Sequence, residues 1–339
     1  MRHLLLAAML AIAPAGMPAA AQQADEVQRS AERLTVLAEK MNALQGLFAS
    51  AGELLAETAT LDGRISDVFY DRTEDAGLAG DLAEYRERVA AAYAESETAI
   101  LRLRGEAAGM AHAPNRRMVE NGLDALDVAW AVIEGTPVYL DDLRAAAMAK
   151  DTARFDRLSR QSMRRTSALL RTENALVDLQ RETVKRSHPA HALQGALKAG
   201  NEATALFSDA GARAFGSEDM RVAETARAMR AQIGTMHAEI ERGEAAVRRT
   251  GASLFLPSLS RPAVATLRSI IVEDFAAAFD VETRMAAVLE DFADILPHLG
   301  QAEAGTLEAL DARLAALAEE RIVIRTRILE RMQVIAGDL

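Results

Sequence analysis

Arginine is the residue type whose distribution in this chain points most clearly to chemistry. Residues 150–186 include ten basic and five acidic residues, although the whole chain carries a net charge of −11. Five of the basic residues are spaced three or four apart: Lys150, Arg154, Arg157, Arg160 and Arg164. In a helix this spacing places the five side chains on one face, which we call the basic stripe. Such a stripe attracts anions or an acidic protein partner, or it faces acidic helices elsewhere in the same protein.

Three arginines outside the basic stripe stand at positions that suit an anion contact. Arg171 and Arg325 each lie between an aliphatic residue and a threonine, and they are candidates for equivalent places in an internal repeat. Arg321 falls on the apolar seam of the last helix, where a buried charge needs a partner or a ligand unless it reaches out to solvent. A guanidinium group is a planar, permanently charged fork that suits oxyanions. We therefore predict that Arg171, Arg321 and Arg325 contact a ligand.

The motifs that carry most enzyme chemistry are missing from the sequence. It has no Gly-x-Ser-x-Gly nucleophile elbow, no phosphate-binding P-loop and no dinucleotide-binding glycine pattern. No Glu or Asp stands three residues before any histidine, as the ligand pairs of di-iron bundles require. The pairs His188/His191 and His237/Glu241 have helical spacing but are more typical of solvated helix ends. We therefore predict no catalytic residue, no metal, no cofactor and no enzymatic activity.

The elements that hold these residues are predicted to be helices throughout. Half of the residues are hydrophobic and only 4% are aromatic, which favours helix over sheet. A set of apolar residues recurs every seven positions: Val27, Leu34, Met41, Phe48 and Leu55. This heptad pattern is typical of helices packed side by side in a bundle. Apolar spacing predicts further helices at about 81–110, from 114, and at 151–186, 189–210, 217–250, 261–297 and 303–336. The predicted fold class is all-α.

The order of these helices resembles one four-helix unit written twice. The tetrapeptide Ala-Leu-Gln-Gly at 43–46 recurs at 192–195, and Trp130 and Phe279 are separated by the same offset. Between the two copies, a helix stop and restart is predicted at Ser187–Pro189, with proline at the first helical position. The sequence thus predicts two tandem four-helix-bundle-like units that arose by internal duplication. Their predicted bounds are 22–187 and 188–339, after a signal peptide at 1–21.

The predicted signal peptide has the three parts expected of a secretory signal. A short polar start precedes an apolar run over residues 4–13, and two prolines and the small residues Ala19–Ala21 follow it. The run is shorter than the roughly 20 residues that span a bilayer as a helix. No cysteine is available for a lipid anchor. We predict cleavage before Gln22, a periplasmic location and no membrane insertion.

Residues 33–41 read Arg-Leu-Thr-Val-Leu-Ala-Glu-Lys-Met. This stretch resembles Arg-x-x-Met-Leu-Ser-Gln-Arg-Met on the first helix of periplasmic four-helix-bundle sensory domains. These are the N-terminal domain of type IV pilus methyl-accepting chemotaxis transducers and the related nitrate-sensing bundles. Arg33, Leu37 and Met41 agree with it, Lys40 is a conservative replacement, and residues 38 and 39 depart. The resemblance implies a helical sensory bundle and makes Arg33 a fourth candidate ligand contact.

Two functional hypotheses follow from the sequence. The first is an exported, non-enzymatic helical protein that binds a small anion in a sensory or solute-binding role. The alternative is a structural or adaptor protein that docks an envelope protein partner through its helices or its basic stripe. A convergent arginine cluster favours the first, and an exposed basic face or large apolar patch favours the second. The acidic net charge argues against nucleic acid as a partner, and the oligomeric state stays open.

Overall fold

The computed structural model describes residues 20–75, 77–216, 219–253, 261–301 and 304–337. In these ranges helix is the only regular secondary structure, which confirms the predicted all-α class. The helices are α1 (Ala20–Phe69), α2 (Leu78–Ala108), α3 (Ala113–Glu134), α4 (Thr136–Met148), α5 (Thr152–Thr183), α6 (Pro189–Phe215), α7 (Val222–Ser253), α8 (Arg261–Ser269), α9 (Phe275–Ile295) and α10 (Ala304–Gly337). A π-helical segment, Ile270–Asp274, joins α8 to α9, and a 3-10 segment, Leu296–Gln301, follows α9.

The chain forms two compact units. Unit 1 comprises Met1–Met41, Glu173–Phe207 and Arg221–Leu339, and unit 2 comprises Asn42–Thr172 and Ser208–Met220. These units are defined by spatial contacts, whereas the predicted domains 22–187 and 188–339 divide the chain by sequence repeat. The predicted domains and their origin by duplication therefore stay predictions.

The heptad seam of α1 continues into the core of unit 2 with a change of register. Phe48 is buried as the pattern predicts, but Leu55 is half-buried and Leu54 takes its place in the core. The buried residues Phe48, Ala51 and Leu54 are separated by two steps of three, whereas a heptad seam alternates steps of three and four, so the apolar stripe moves around the helix here. Leu61 and Ile65 continue the shifted seam.

The core of unit 1 is built on aromatic residues of α9. Phe279 is completely buried, and its ring lies where a Cβ on residue 243 of α7 would be. Gly243 therefore lets α7 and α9 approach closely. Phe292 packs against Phe207 with ring centroids 4.7 Å apart. Trp130 of α3, in unit 2, is also buried.

The π-helical segment is a departure that apolar spacing did not reveal, because the sequence predicts one continuous helix over 261–297. Asp274 ends this segment and is 2% exposed. Its carboxylate forms an ion pair with Arg327 Nε at 2.8 Å and accepts a hydrogen bond from Arg331 Nη1 at 2.7 Å. Arg331 Nη2 also donates to Ser269 Oγ at 2.6 Å. Both oxygens of the buried carboxylate are thus paired within unit 1.

The helix ends agree with the local sequence signals. Gly135 separates α3 from α4, and Pro137 lies in the first turn of α4. Helix α5 ends at Thr183 and α6 begins at Pro189, as the predicted stop and restart require. His188 caps α6, because the backbone N–H of Ala190 donates to its Nδ1 at 3.1 Å.

The predicted signal peptide lies outside the described residues except for Ala20 and Ala21. Cleavage before Gln22 and the periplasmic location therefore stay predictions. Among the described residues, no helix combines the length and the apolar character that crossing a membrane requires.

Candidate functional site

A polar groove in unit 2 lies between α5 and the C-terminal part of α6. The two helices approach closely here, since Met163 Sδ lies only 2.7 Å from where a Cβ on Gly211 would stand. The groove has a volume of about 590 Å³. Its lining residues are Arg164, Ser167, Ala168 and Arg171 from α5, and Asp209 and Arg213 from α6. We call this site the arginine groove.

Helical periodicity explains why these residues share one groove. On α5 the four lining residues are separated by three, one and three positions, which keeps them on one face. On α6, Asp209 and Arg213 are four residues apart and therefore lie one turn apart on the same side. The groove is thus lined by regular helix on both sides, and its shape does not depend on a loop.

Arg171 is held in place by contacts to both helices. Its Nη1 donates to Ser167 Oγ at 2.9 Å, and Ser167 is 1% exposed. Its Nη2 donates to Asp209 Oδ2 at 2.8 Å, and the side chains of Arg171 and Asp209 are 43% and 26% exposed. The guanidinium is therefore oriented by contacts to both helices, and a large part of the side chain is exposed to solvent.

Arg213 stands out among the lining residues. It is half-buried, and within the described part of the chain its side chain has neither a hydrogen bond nor an ion pair. A guanidinium that loses water without gaining an acidic partner pays a desolvation cost, which a bound anion would offset. Its position in the last turn of α6 provides partial compensation through the helix dipole.

The charges that line the groove favour an anion. Three guanidinium groups face one carboxylate, so the side chains contribute a net charge of +2. The carboxyl end of α6 opposes an anion, but it is equivalent to only about half a negative charge. The guanidinium groups therefore dominate the local field, in a chain whose overall charge is −11.

The remainder of the basic stripe is largely paired inside the protein. Lys150 donates to Asp71 Oδ1 at 2.6 Å and to the carbonyl oxygens of Val68 and Phe69. Arg154 Nη2 donates to Asp142 Oδ1 at 2.6 Å. These contacts agree with the alternative that the stripe faces acidic groups of the same protein. Arg157 differs, because it is exposed and has no ion pair among the described residues.

The four arginines predicted as ligand contacts do not form one site in the described structure. Arg171 lines the groove in unit 2. Arg321 belongs to unit 1, where its Nη2 donates to Glu282 Oε2 at 2.6 Å. The side chains of Arg33 and Arg325 lie outside the part of the chain whose side chains are described. The ligand contacts predicted at Arg33, Arg321 and Arg325 therefore stay predictions.

A second polar cluster, in unit 1, is balanced internally. Glu239 is 7% exposed, and its two oxygens accept hydrogen bonds from Arg181 Nη2 at 2.8 Å and Arg242 Nη1 at 2.9 Å. Its carboxyl carbon lies 2.5 Å from where a Cβ on Gly195 would stand, so the glycine makes room for it. His191 lies beside this cluster, and burial, followed by the charge of Arg181, lowers its pKa. Because both carboxylate oxygens are used, this cluster is better explained as a structural contact between helices.

Sequence reasoning did not identify Asp209 and Arg213. Their four-residue spacing resembles an ordinary helical ion pair, which gives no reason to single them out. The decisive property of Arg213 is the lack of an acidic partner in the described structure, and that depends on which helix packs beside it. Within the described residues, no group of three or more His, Cys, Asp or Glu side chains is arranged to hold a metal ion.

Comparison of the chain with protein families, with curated proteins and with solved structures finds no match.

Proposed function

We propose that this chain is an exported, non-enzymatic helical protein that binds a small oxyanion in the arginine groove, in a sensory or solute-binding role. The observation that carries the proposal is Arg213, a half-buried guanidinium with no acidic partner in the described structure. It stands in one groove with Arg164 and Arg171. The similarity of residues 33–41 to periplasmic sensory bundles supports the same class of function.

The groove supports binding rather than reaction chemistry. Its guanidinium groups donate hydrogen bonds but do not exchange protons near neutral pH, since arginine stays charged. Ser167 already accepts a hydrogen bond from Arg171, and no histidine is among the lining residues described here. A site of this composition orients and neutralises an anion without a general base to activate a nucleophile.

A thermal-shift titration at low ionic strength tests the proposal. The purified protein is melted with sodium phosphate, sulfate, nitrate, nitrite and small carboxylates. An anion present at about 100 times its dissociation constant stabilises the folded protein by about 2.7 kcal/mol, which a melting curve resolves. Added sodium chloride should weaken the shift, because the groove is open to solvent and its charges are screened.

The matched variants separate the groove from general electrostatics. Arg171→Met with Arg213→Met should abolish the anion-dependent shift while leaving the helix content unchanged. Arg157→Met removes an exposed arginine of the same helix and should leave the shift intact. If none of these anions stabilises the wild-type protein, anion binding is refuted and the adaptor role is favoured.

A further inference from the structure

The arginine groove contains one hydrogen-bond acceptor among its donors, the carboxylate of Asp209. This side chain is 26% exposed and lines the groove one turn before Arg213. Its Oδ2 accepts from Arg171 Nη2, and in the described structure the side chain of Asp209 has no other hydrogen bond. The second carboxylate oxygen therefore remains an acceptor within the site.

This acceptor changes which anions fit. An oxyanion that binds Arg213 and Arg164 brings an oxygen atom toward the carboxylate of Asp209. If that oxygen carries no proton, two negatively charged acceptors face each other and neither has a donor. If it carries a proton, it donates a hydrogen bond to Asp209 and the repulsion becomes an attraction.

We infer that the groove selects a tetrahedral oxyanion that carries a proton, namely inorganic hydrogen phosphate, over sulfate and nitrate. The inference rests on the proposed function, since it names the anion that the groove takes. Sulfate has the same shape and charge as hydrogen phosphate but no proton at neutral pH. It therefore lacks the hydrogen bond to Asp209, and a missing charge-assisted hydrogen bond weakens binding about 10- to 100-fold.

The same logic separates free phosphate from phosphate esters. The second pKa of a phosphomonoester is about 6. At about pH 8 an ester has therefore lost its last proton, whereas inorganic phosphate still carries one. Among the described lining residues Asp209 is the sole acid, and the other charged groups facing it are Arg164, Arg171 and Arg213. Since arginine does not titrate in this range, a difference between the two ligands at this pH reports the proton on the ligand.

Isothermal titration calorimetry of the full-length protein at about pH 8 tests this selectivity. The probes are sodium phosphate, sodium sulfate and glycerol phosphate. We expect phosphate to bind at least about tenfold more tightly than either of the others. Asp209→Asn should remove this preference, because a carboxamide also donates to an unprotonated oxygen. Glu87→Gln removes an exposed acidic charge of the same unit outside the groove and should leave the preference unchanged.

The outcomes separate the two proposals. Equal affinity of the wild-type protein for phosphate and sulfate overturns the selectivity but leaves anion binding in place. A preference for phosphate that survives in Asp209→Asn also overturns the role of Asp209, provided that the variant melts as a folded protein. Binding of none of the three probes removes the selectivity, and the thermal-shift titration with the other anions then decides whether anion binding itself stands.

Discussion

Replacing Arg321 should reveal whether this residue is needed for stability. In unit 1, Arg321 Nη2 lies 2.6 Å from Glu282 Oε2, and the two side chains are 12% and 1% exposed. Arg321→Met leaves the buried carboxylate without this guanidinium. Removal of one partner from a buried ion pair costs about 3–5 kcal/mol, because a charge then stays in a medium of low polarity.

This loss corresponds to a large shift in the melting temperature. In a domain of roughly 150–250 residues, 1 kcal/mol changes the melting temperature by about 2–4 °C. We therefore expect Arg321→Met to melt about 6–20 °C below the wild-type protein. The double variant with Glu282→Met should recover most of the loss, since no charge remains buried. Differential scanning calorimetry measures both.

The ion pair between Arg313 and Asp291 is the matched control. It joins the same two helices, α10 and α9, with an N–O distance of 3.0 Å, but its side chains are 56% and 51% exposed. Solvent screens such a pair, so Arg313→Met should cost no more than about 1 kcal/mol. If Arg321→Met melts no lower than Arg313→Met, the structural role of the buried pair is refuted.

Two further predictions concern stability. Burial lowers the pKa of His188 to about 4, so the unfolded chain, with a histidine pKa of about 6.5, binds this proton first as the pH falls. The free energy of unfolding is therefore unaffected by His188 above about pH 6.5 and falls by about 1.4 kcal/mol per pH unit toward pH 4. His188→Asn should flatten the dependence of the melting temperature on pH over this window. The exposed control His298→Asn should leave this dependence unchanged. Gly243→Ala should cost about 1–3 kcal/mol because its Cβ meets the buried ring of Phe279. Gly234→Ala, in the same helix but with open space at the Cβ, should instead raise the free energy of unfolding by about 0.5–1 kcal/mol. Chemical denaturation of both variants tests whether close packing determines if alanine stabilises or destabilises the helix.

Much of the fold follows from local signals in the sequence. Apolar spacing and proline positions predict the helices, and α6 begins at Pro189, the residue that the sequence indicates. These features depend on residues close together in the chain, so sequence suffices. The shift of the α1 seam from Leu55 to Leu54 shows the limit, because the side of α1 that is buried depends on what packs against it in the folded protein.

The candidate site was only partly predictable, because its properties come from pairing between helices. The stripe and Arg171 are visible in the sequence, whereas the acidic partners of Lys150 and Arg154 are not. Asp71 and Asp142 neutralise these residues from other parts of unit 2. This pairing determines which basic side chains remain accessible to an anion, and it depends on how the helices pack.

The most direct test of anion binding in the arginine groove is the dissociation constant for phosphate of Arg213→Met, measured by calorimetry at low ionic strength beside wild type and Arg157→Met. A guanidinium–oxyanion hydrogen bond contributes about 1.5–3 kcal/mol. We therefore expect Arg213→Met to bind about 10- to 100-fold more weakly than wild type and Arg157→Met to bind like wild type. Equal weakening by both variants would show that phosphate responds to overall charge and not to this site, and unchanged binding by Arg213→Met would contradict the groove as the place of binding.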